Sequence, residues 1–237
     1  MNHRPAPKAE YLPTLHQIAQ DPRSLIIGID EVGLGSWAGP LVVGGVVVQK
    51  NWDHSSCRDS KAFSNHTRRE HALRQILPAI LDVTVSGIEA PDIDYIGVDL
   101  ALEKLMLRVA TDLSERNPDA LIVIDGNTPF RIVGGPRCLH MPQADKYIPA
   151  VSAASMYAKV VRDKSMMDYA PAFPQYGFEK NKGYGTPDHH RALTTYGPCP
   201  LHRLSYKPMK NLVLSSRSCQ PRQGAQGIHV WTNSLLL

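Results

Sequence analysis

An apolar run that ends in two adjacent carboxylates constrains the fold of this 237-residue chain more than any other feature. Residues 25–29 are apolar or glycine and predict a buried strand, and Asp30 and Glu31 follow immediately. Two carboxylates at the end of such a strand cannot stay buried without a partner, because desolvating an unpaired charge is costly. Since hard cations such as Mg²⁺ prefer carboxylate oxygens, the run predicts a metal site where the strand ends.

Two further acids lie in similar settings. Asp125 closes the apolar run 121–124, and Asp163 follows the small-residue stretch 153–159, which predicts a helix. Each acid taken alone could equally be a turn residue or a solvated charge.

Strand geometry restricts how the first two acids can act together. Successive side chains of a strand point to opposite faces of the sheet. Asp30 and Glu31 can therefore reach the same ions only if the strand ends at Glu31, and Gly33 and Gly35 allow a turn there.

Hydrophobic patterning predicts an α/β fold with a mixed sheet. Strands are expected at 25–30, 41–48, 83–88 and 121–125, with a short one around 131–133. Helices are expected from Ser64 toward Ile80, over about 93–116 and 150–169, and from Thr186 to Gly197. Antiparallel strands followed by strands that alternate with helices indicate a mixed sheet flanked by helices.

Composition narrows the class of protein. The four cysteines are scattered without the spacing of a zinc site, and we interpret them as reduced thiols. No run reaches the roughly 18 apolar residues of a membrane span, and the N-terminus lacks the apolar core of a signal peptide. A cytoplasmic protein is the default expectation.

The net charge of +4 is concentrated toward the C-terminus. Between residues 180 and 214 the charged residues are Lys180, Lys182, Arg191, Arg203, Lys207 and Lys210, against Asp188 alone. A basic surface beside an acidic metal site suits a polyanion whose phosphate must reach the metals. The alternative is a solvated basic face.

Six blocks of the chain, between about Leu25 and Leu214, resemble ribonuclease HII of the type 2 ribonuclease H family in both content and order. They are Asp30-Glu31-x-Gly33-x-Gly35 with Ala38-Gly39-Pro40; Asp59-Ser60-Lys61; Asp125-Gly126; Ser152-Ala153-Ala154-Ser155 through Ala158-Lys159-Val160 to Arg162-Asp163; Gly183-Tyr184-Gly185-Thr186; and Gly197-Pro198-x-Pro200-x-His202-Arg203-x-Ser205-Tyr206.

The resemblance implies a ribonuclease H-like mixed five-stranded sheet with a C-terminal helical extension. It implies that Asp30, Glu31, Asp125 and Asp163 bind two divalent cations, Mg²⁺ or Mn²⁺. It also implies an endonuclease that cuts the RNA strand of RNA–DNA hybrids, and cuts 5′ of ribonucleotides embedded in duplex DNA, leaving 3′-hydroxyl and 5′-phosphate ends. Without cations the four acids should repel one another, so at least one should have a raised pKa.

Substrate contacts are expected from a second set of residues: Gly33, Leu34, Gly35, Lys61, Ser155 and Tyr184. Selection of RNA must act through the 2′-hydroxyl, which the backbone of the glycine loop can approach. By resemblance, Tyr184 packs on the sugar beside the ribonucleotide; otherwise it is an ordinary half-buried tyrosine. Lys61 is either a phosphate contact or a solvated lysine. Leu34 stands where the family has arginine, so a cationic phosphate contact is missing.

Several further expectations concern organisation and roles. Residues 1–22 should form a flexible arm that can include one short helix, and 23–214 the catalytic domain with its helical part. Residues 215–237 should form a disordered tail without a convincing sliding-clamp peptide, and the protein should be a monomer. His189 and His190 are expected on the surface, and His202 and Arg203 in structural or backbone-binding roles. Two alternatives are a binding module of the same fold that has lost turnover, and a different metal hydrolase such as a phosphatase.

Overall fold

The computed structural model describes residues 8–52, 66–126, 138–209 and 228–231. Six strands form one mixed sheet in the order β5-β4-β1-β2-β3-β6. Their bounds are β1 Leu25–Val32, β2 Leu41–Gln49, β3 Asp82–Ile88, β4 Leu121–Asp125, β5 Cys138–Met141 and β6 Ile228–Trp231. The pairs β1–β4 and β4–β5 are parallel, and the other three pairs are antiparallel.

Eight α-helices lie within the described residues. They are α1 Leu12–Gln20, α2 His66–Ile76, α3 Ala90–Ile96, α4 Val98–Arg116, α5 Ala144–Tyr147, α6 Pro149–Tyr169, α7 Phe178–Asn181 and α8 Pro187–Tyr196. None of these helices is long and apolar enough to cross a membrane.

Helices cover both faces of the sheet, which explains why β1 and β2 are apolar almost throughout. Ile26 faces a core cluster that includes α6, whereas its neighbour Ile27 faces a second cluster that includes α4. Helix α6 lies directly on β1: a Cβ added to Gly28 would stand 2.1 Å from the carbonyl carbon of Ala150. This close approach brings the residues of α6 to the end of β1 that carries the acids.

The predicted mixed sheet flanked by helices is confirmed, with three differences in detail. Gly97, with φ of +87°, divides the single helix expected over 93–116 into α3 and α4. The short strand expected around 131–133 lies outside the described residues, and the strand beside β4 is β5, which the sequence did not predict. Strand β6 pairs with β3 from within the region expected to be a disordered tail.

The described part of the N-terminal arm contains a short α-helix, α1. It buries Ile18 in the core cluster on the α6 side of the sheet, together with Tyr11, which directly precedes the helix.

Candidate metal centre and nucleic-acid site

The parallel pairing of β1 and β4 brings two of the predicted acids together. Ile29 pairs with Ile124, so Asp30 and Asp125 follow at the same edge of the sheet. A third acid, Asp145, joins them, and one carboxylate oxygen from each of the three residues lies within 4.8 Å of the others. Asp145 is not among the metal ligands that the sequence predicts.

A backbone contact explains the position of Asp145. The amide of Ala144 donates a hydrogen bond of 2.8 Å to Asp125 Oδ1, which fixes the start of α5 beside β4. Asp145 follows in the first turn of that helix. The available signal in the sequence is an acid that follows a strand parallel to β4. This signal depends on β5, which the sequence does not predict.

The environment of the first two acids disfavours their charged forms. Burial, the charge of Glu31 and the charge of Asp125 raise the pKa of Asp30, and a hydrogen bond from the Ser155 hydroxyl partly opposes this rise. Burial and the charge of Asp125 likewise raise the pKa of Glu31. The expectation of at least one raised pKa among these acids is therefore met.

These residues fit a divalent cation. All their donor atoms are carboxylate oxygens, which hard cations prefer, and a bound cation would relieve the repulsion that raises the pKa of Asp30 and Glu31. The residues that could hold it are Asp30, Glu31, Asp125 and Asp145.

The structure does not group Asp163 with these acids. Its side chain is fully buried, and its oxygens contact Arg69 Nη1 of α2 at 2.9 Å and Lys159 Nζ at 2.7 Å. Two cations therefore already neutralise Asp163. Asp145, and not the predicted Asp163, is therefore the acid that the structure places beside Asp30 and Asp125.

Two fully buried arginines hold the loop that follows β1. Arg162 donates to the carbonyls of Pro40 at 2.9 Å, Ala38 at 3.1 Å and Lys182 at 3.0 Å. Because each of its nitrogens meets a carbonyl oxygen, the buried charge is compensated by charge-assisted hydrogen bonds.

Arg203 holds the beginning of the same loop. It donates to the carbonyls of Gly33 at 2.7 Å, Leu34 at 3.1 Å and Gly39 at 3.0 Å. This contact pattern is the structural one of the two roles expected for Arg203.

The two glycines of the loop differ in their surroundings. Gly33 has φ of +94°, and a Cβ there would lie 2.2 Å from Arg162 Nε, so Gly33 is required for the arginine to enter. A Cβ at Gly35 would meet nothing within 4 Å, which leaves its backbone open to a ligand. Between them Leu34 is 37% exposed.

Tyr184 is half-buried between two cations. Lys159 Nζ lies 5.0 Å, and Arg162 Cζ 5.2 Å, from the centroid of its ring. The turn that carries Tyr184 is fixed to the glycine loop, because Gly183 accepts a hydrogen bond of 2.8 Å from the amide of Trp37.

A buried histidine pair also supports this turn. His189 Nδ1 donates to the carbonyl of Tyr184 at 2.9 Å, and His189 Nε2 lies 3.0 Å from His202 Nε2. The expectation of a surface residue is therefore wrong for His189, which is fully buried, whereas its neighbour His190 is exposed. His202 has the structural role expected.

The remaining predicted substrate residues are placed as follows. Ser155 hydrogen-bonds Asp30, which makes it a support of the acidic cluster. Lys61 lies outside the described residues.

The fold is similar to that of solved ribonucleases H. The chain aligns with the ribonuclease H2 of Pyrococcus horikoshii with a TM-score of 0.66 and 22% identity, covering 81% of this chain and 98% of that one. It aligns with the ribonuclease HII of a PCNA:RNase HII complex from Archaeoglobus fulgidus with a TM-score of 0.63 and 22% identity, covering 77% and 95%.

Sequence comparison identifies the family itself. The family model for ribonuclease HII matches residues 27–209. The chain is 36% identical to the ribonuclease HII of Halorhodospira halophila over 196 residues, which are 79% of this chain and 94% of that protein. The chain therefore belongs to the ribonuclease HII family of metal-dependent endoribonucleases.

Proposed function

We propose that this protein hydrolyses the RNA strand of RNA–DNA hybrids and cuts on the 5′ side of ribonucleotides embedded in duplex DNA, leaving 3′-hydroxyl and 5′-phosphate ends. The observation that carries the proposal is the convergence of carboxylate oxygens from Asp30, Asp125 and Asp145 within 4.8 Å. The family membership supports ribonuclease H activity, and the placement of Tyr184 supports recognition of the substrate.

The cofactors we propose are two divalent cations, Mg²⁺ or Mn²⁺, held by Asp30, Glu31, Asp125 and Asp145. When bound, such a pair activates water and neutralises the charge that develops on the attacking and leaving oxygens. The protein's part is to fix the carboxylates: Ser155 orients Asp30, and the amide of Ala144 orients Asp125.

Recognition of RNA is proposed for the glycine loop and the tyrosine turn. Because Gly35 leaves its backbone open and Arg203 fixes the carbonyls of Gly33 and Leu34, the loop is a rigid set of polar groups that a 2′-hydroxyl can approach. The ring of Tyr184 offers an apolar face for the neighbouring sugar.

The partners we propose are RNA–DNA hybrids and duplex DNA that contains ribonucleotides, bound by a monomer, with a role in removing ribonucleotides during DNA replication and repair. The PCNA complex concerns the Archaeoglobus protein. In this chain we found no convincing sliding-clamp peptide, and most of the region after residue 209 lies outside the described residues.

Three matched duplexes test the proposal: an RNA–DNA hybrid, a DNA duplex with one ribonucleotide, and the same duplex with DNA alone. With Mg²⁺ or Mn²⁺ the first two should be cut, with 3′-hydroxyl and 5′-phosphate ends, and the third should remain intact. Asp125→Asn should abolish both cleavages while circular dichroism shows an intact fold. An intact hybrid at saturating metal would support the binding module without turnover, and cleavage of the all-DNA duplex would contradict selection by the 2′-hydroxyl.

A further inference from the structure

A basic pocket of about 570 Å³ opens beside Tyr184. Four of its lining residues are cations and two are acids, so the pocket carries an excess of positive charge. The cations are Arg69, Lys159, Lys180 and Lys182, and the acids are Asp163 and Glu179.

Buried Asp163 fixes two of the cations that line this pocket. It is fully buried in α6 and holds Arg69, from α2, and Lys159, from the preceding turn of α6, at 2.9 and 2.7 Å. One carboxylate thus fixes two cations. It balances only one of their two positive charges, so the other is available to an anion. Because one carboxylate with two cations carries a net positive charge, the cluster disfavours a divalent metal and favours an anion.

Lys182 brings a third positive charge to the same wall. Its backbone has φ of +50°, a conformation uncommon for residues other than glycine, and its ammonium donates a hydrogen bond to the carbonyl of Glu179, which also lines the pocket. Burial lowers the pKa of Lys182, and the charges of Lys159 and Arg69 lower it further, against opposing contributions from Asp163 and Glu179. The positive charges are therefore close enough to repel one another, and an anion would relieve that repulsion.

We propose that this pocket is a phosphate subsite that binds one backbone phosphate of a nucleic-acid strand, separate from the metal centre. The inference rests on the proposed function for the identity of the strand. An arginine fork with adjacent lysine ammonium groups matches phosphate oxygens in charge and in geometry. The ring of Tyr184 borders both the pocket and the glycine turn, so one strand can contact Tyr184 and the pocket together.

Helix α6 sets the spacing between the two sites. Ser155 contacts Asp30 of the metal centre, Lys159 follows one turn later and Asp163 two turns later. At ~1.5 Å per residue these steps are about 6 and 12 Å. A strand carries one phosphate per ~3.4 Å of helix axis. The phosphate that the pocket binds should therefore lie about two to four nucleotides from the phosphate that is cut.

The test measures hybrid binding by fluorescence anisotropy, in a chelator and at several salt concentrations, for wild type and three variants. Lys182→Gln should weaken binding about tenfold at low salt and reduce the salt slope by about one phosphate contact. Lys182→Arg should restore most of the loss. The matched control is Lys104→Gln, which removes a positive charge from α4 on the opposite face of the sheet and should change neither quantity.

Two further arms locate and identify the anion. Duplexes are shortened, one end at a time, to fewer than about two nucleotides from the cut. On the duplex that has lost the phosphate bound by the pocket, wild type and Lys182→Gln should bind equally. Inorganic phosphate, titrated without nucleic acid, should shift the backbone amide signals of residues 182–184 in wild type but not in Lys182→Gln. Phosphate binding without any change in the salt slope for the hybrid would overturn the proposal, because the pocket would then bind a free anion only.

The outcomes separate this inference from the proposed function. If wild type cleaves hybrids and Lys182→Gln has an unchanged salt slope on long duplexes, the subsite is wrong and the activity stands. If wild type cleaves no hybrid but Lys182→Gln still loses one phosphate contact, the subsite stands and the activity is wrong.

Discussion

The imidazole rings of His189 and His202 meet through a buried hydrogen bond, with 3.0 Å between their Nε2 atoms. The carbonyl of Tyr184 requires a proton on His189 Nδ1, so a neutral His189 accepts at Nε2 and His202 donates. A neutral His202 then accepts at Nδ1, where the amide of Cys199 donates at 2.9 Å. With these proton positions, a continuous series of hydrogen bonds connects the amide of Cys199 to the turn that carries Tyr184.

Because these hydrogen bonds hold the turn that carries Tyr184, we predict that His189→Ala displaces Tyr184 and so impairs substrate recognition. The change removes two buried hydrogen bonds, each worth about 1 kcal/mol, and should raise the KM for a duplex with one ribonucleotide more than it lowers kcat. The matched control is His190→Ala, an exposed neighbour in α8, which should behave as wild type. An equal effect of both substitutions on KM would contradict the positioning role.

Asp145→Asn and Asp163→Asn should separate the metal centre from the basic pocket. In Asp145→Asn, Mn²⁺ should no longer raise the melting temperature. The loss of activity should exceed about 10- to 100-fold, which is the loss expected when a residue only orients a metal ligand. Asp163→Asn should keep the Mn²⁺-dependent rise, although its melting temperature without metal should fall. Scanning calorimetry with and without Mn²⁺ measures both; loss of the Mn²⁺ effect in Asp163→Asn alone would restore the original assignment.

Asp30→Asn should stabilise the protein in the absence of metal. Since the pKa of Asp30 is raised on folding, the folded state holds its proton more tightly, and stability falls as pH rises from the unfolded value of about 3.9 toward the folded value. Asparagine removes this penalty, which amounts to about 1.4 kcal/mol for each unit by which the pKa of Asp30 is raised. Urea unfolding in a chelator at pH 5 and pH 8 checks it: the gain should be larger at pH 8, and a gain independent of pH would refute the cause.

Tyr184→Ala should weaken cleavage at a single embedded ribonucleotide more than it weakens folding. Contacts between an aromatic ring and a nucleotide are worth about 1–3 kcal/mol, or roughly 5- to 150-fold in rate or affinity. Tyr184→Phe keeps the ring and serves as the matched control, with activity near that of wild type. Comparison of single-turnover rates on that duplex decides the matter, and equal rates for all three proteins would leave Tyr184 a packing residue.

Leu34→Arg should tighten binding to duplexes that contain a ribonucleotide. The Leu34 side chain is 37% exposed, so an arginine there can reach solvent and form a charge-assisted phosphate bond worth about 1–3 kcal/mol. The salt slope should steepen by about one contact, while Leu34→Met should leave it unchanged. An unaltered slope in Leu34→Arg would mean that another cation already covers that phosphate.

Local patterns in the sequence were sufficient wherever structure depends on neighbours in the chain. The apolar runs specify β1, β2 and β4, and the run that ends in Asp30 places two acids at the edge of the sheet. The start of α8 follows from its own residues, because Thr186 Oγ1 accepts a hydrogen bond from the amide of His189 as the capping pattern predicts.

Tertiary structure alone decided which acid joins which cluster. In the sequence, Asp145 and Asp163 are both single acids near a helix. Asp145 reaches the metal centre because its helix starts on Asp125, whereas Asp163 is buried against Arg69, 94 residues earlier in the chain. The burial of His189 depends in the same way on His202. Each of these environments is made by residues from distant segments, and the periodicity of one segment carries no information about the charge or the hydrogen-bonding groups that another segment will bring to it.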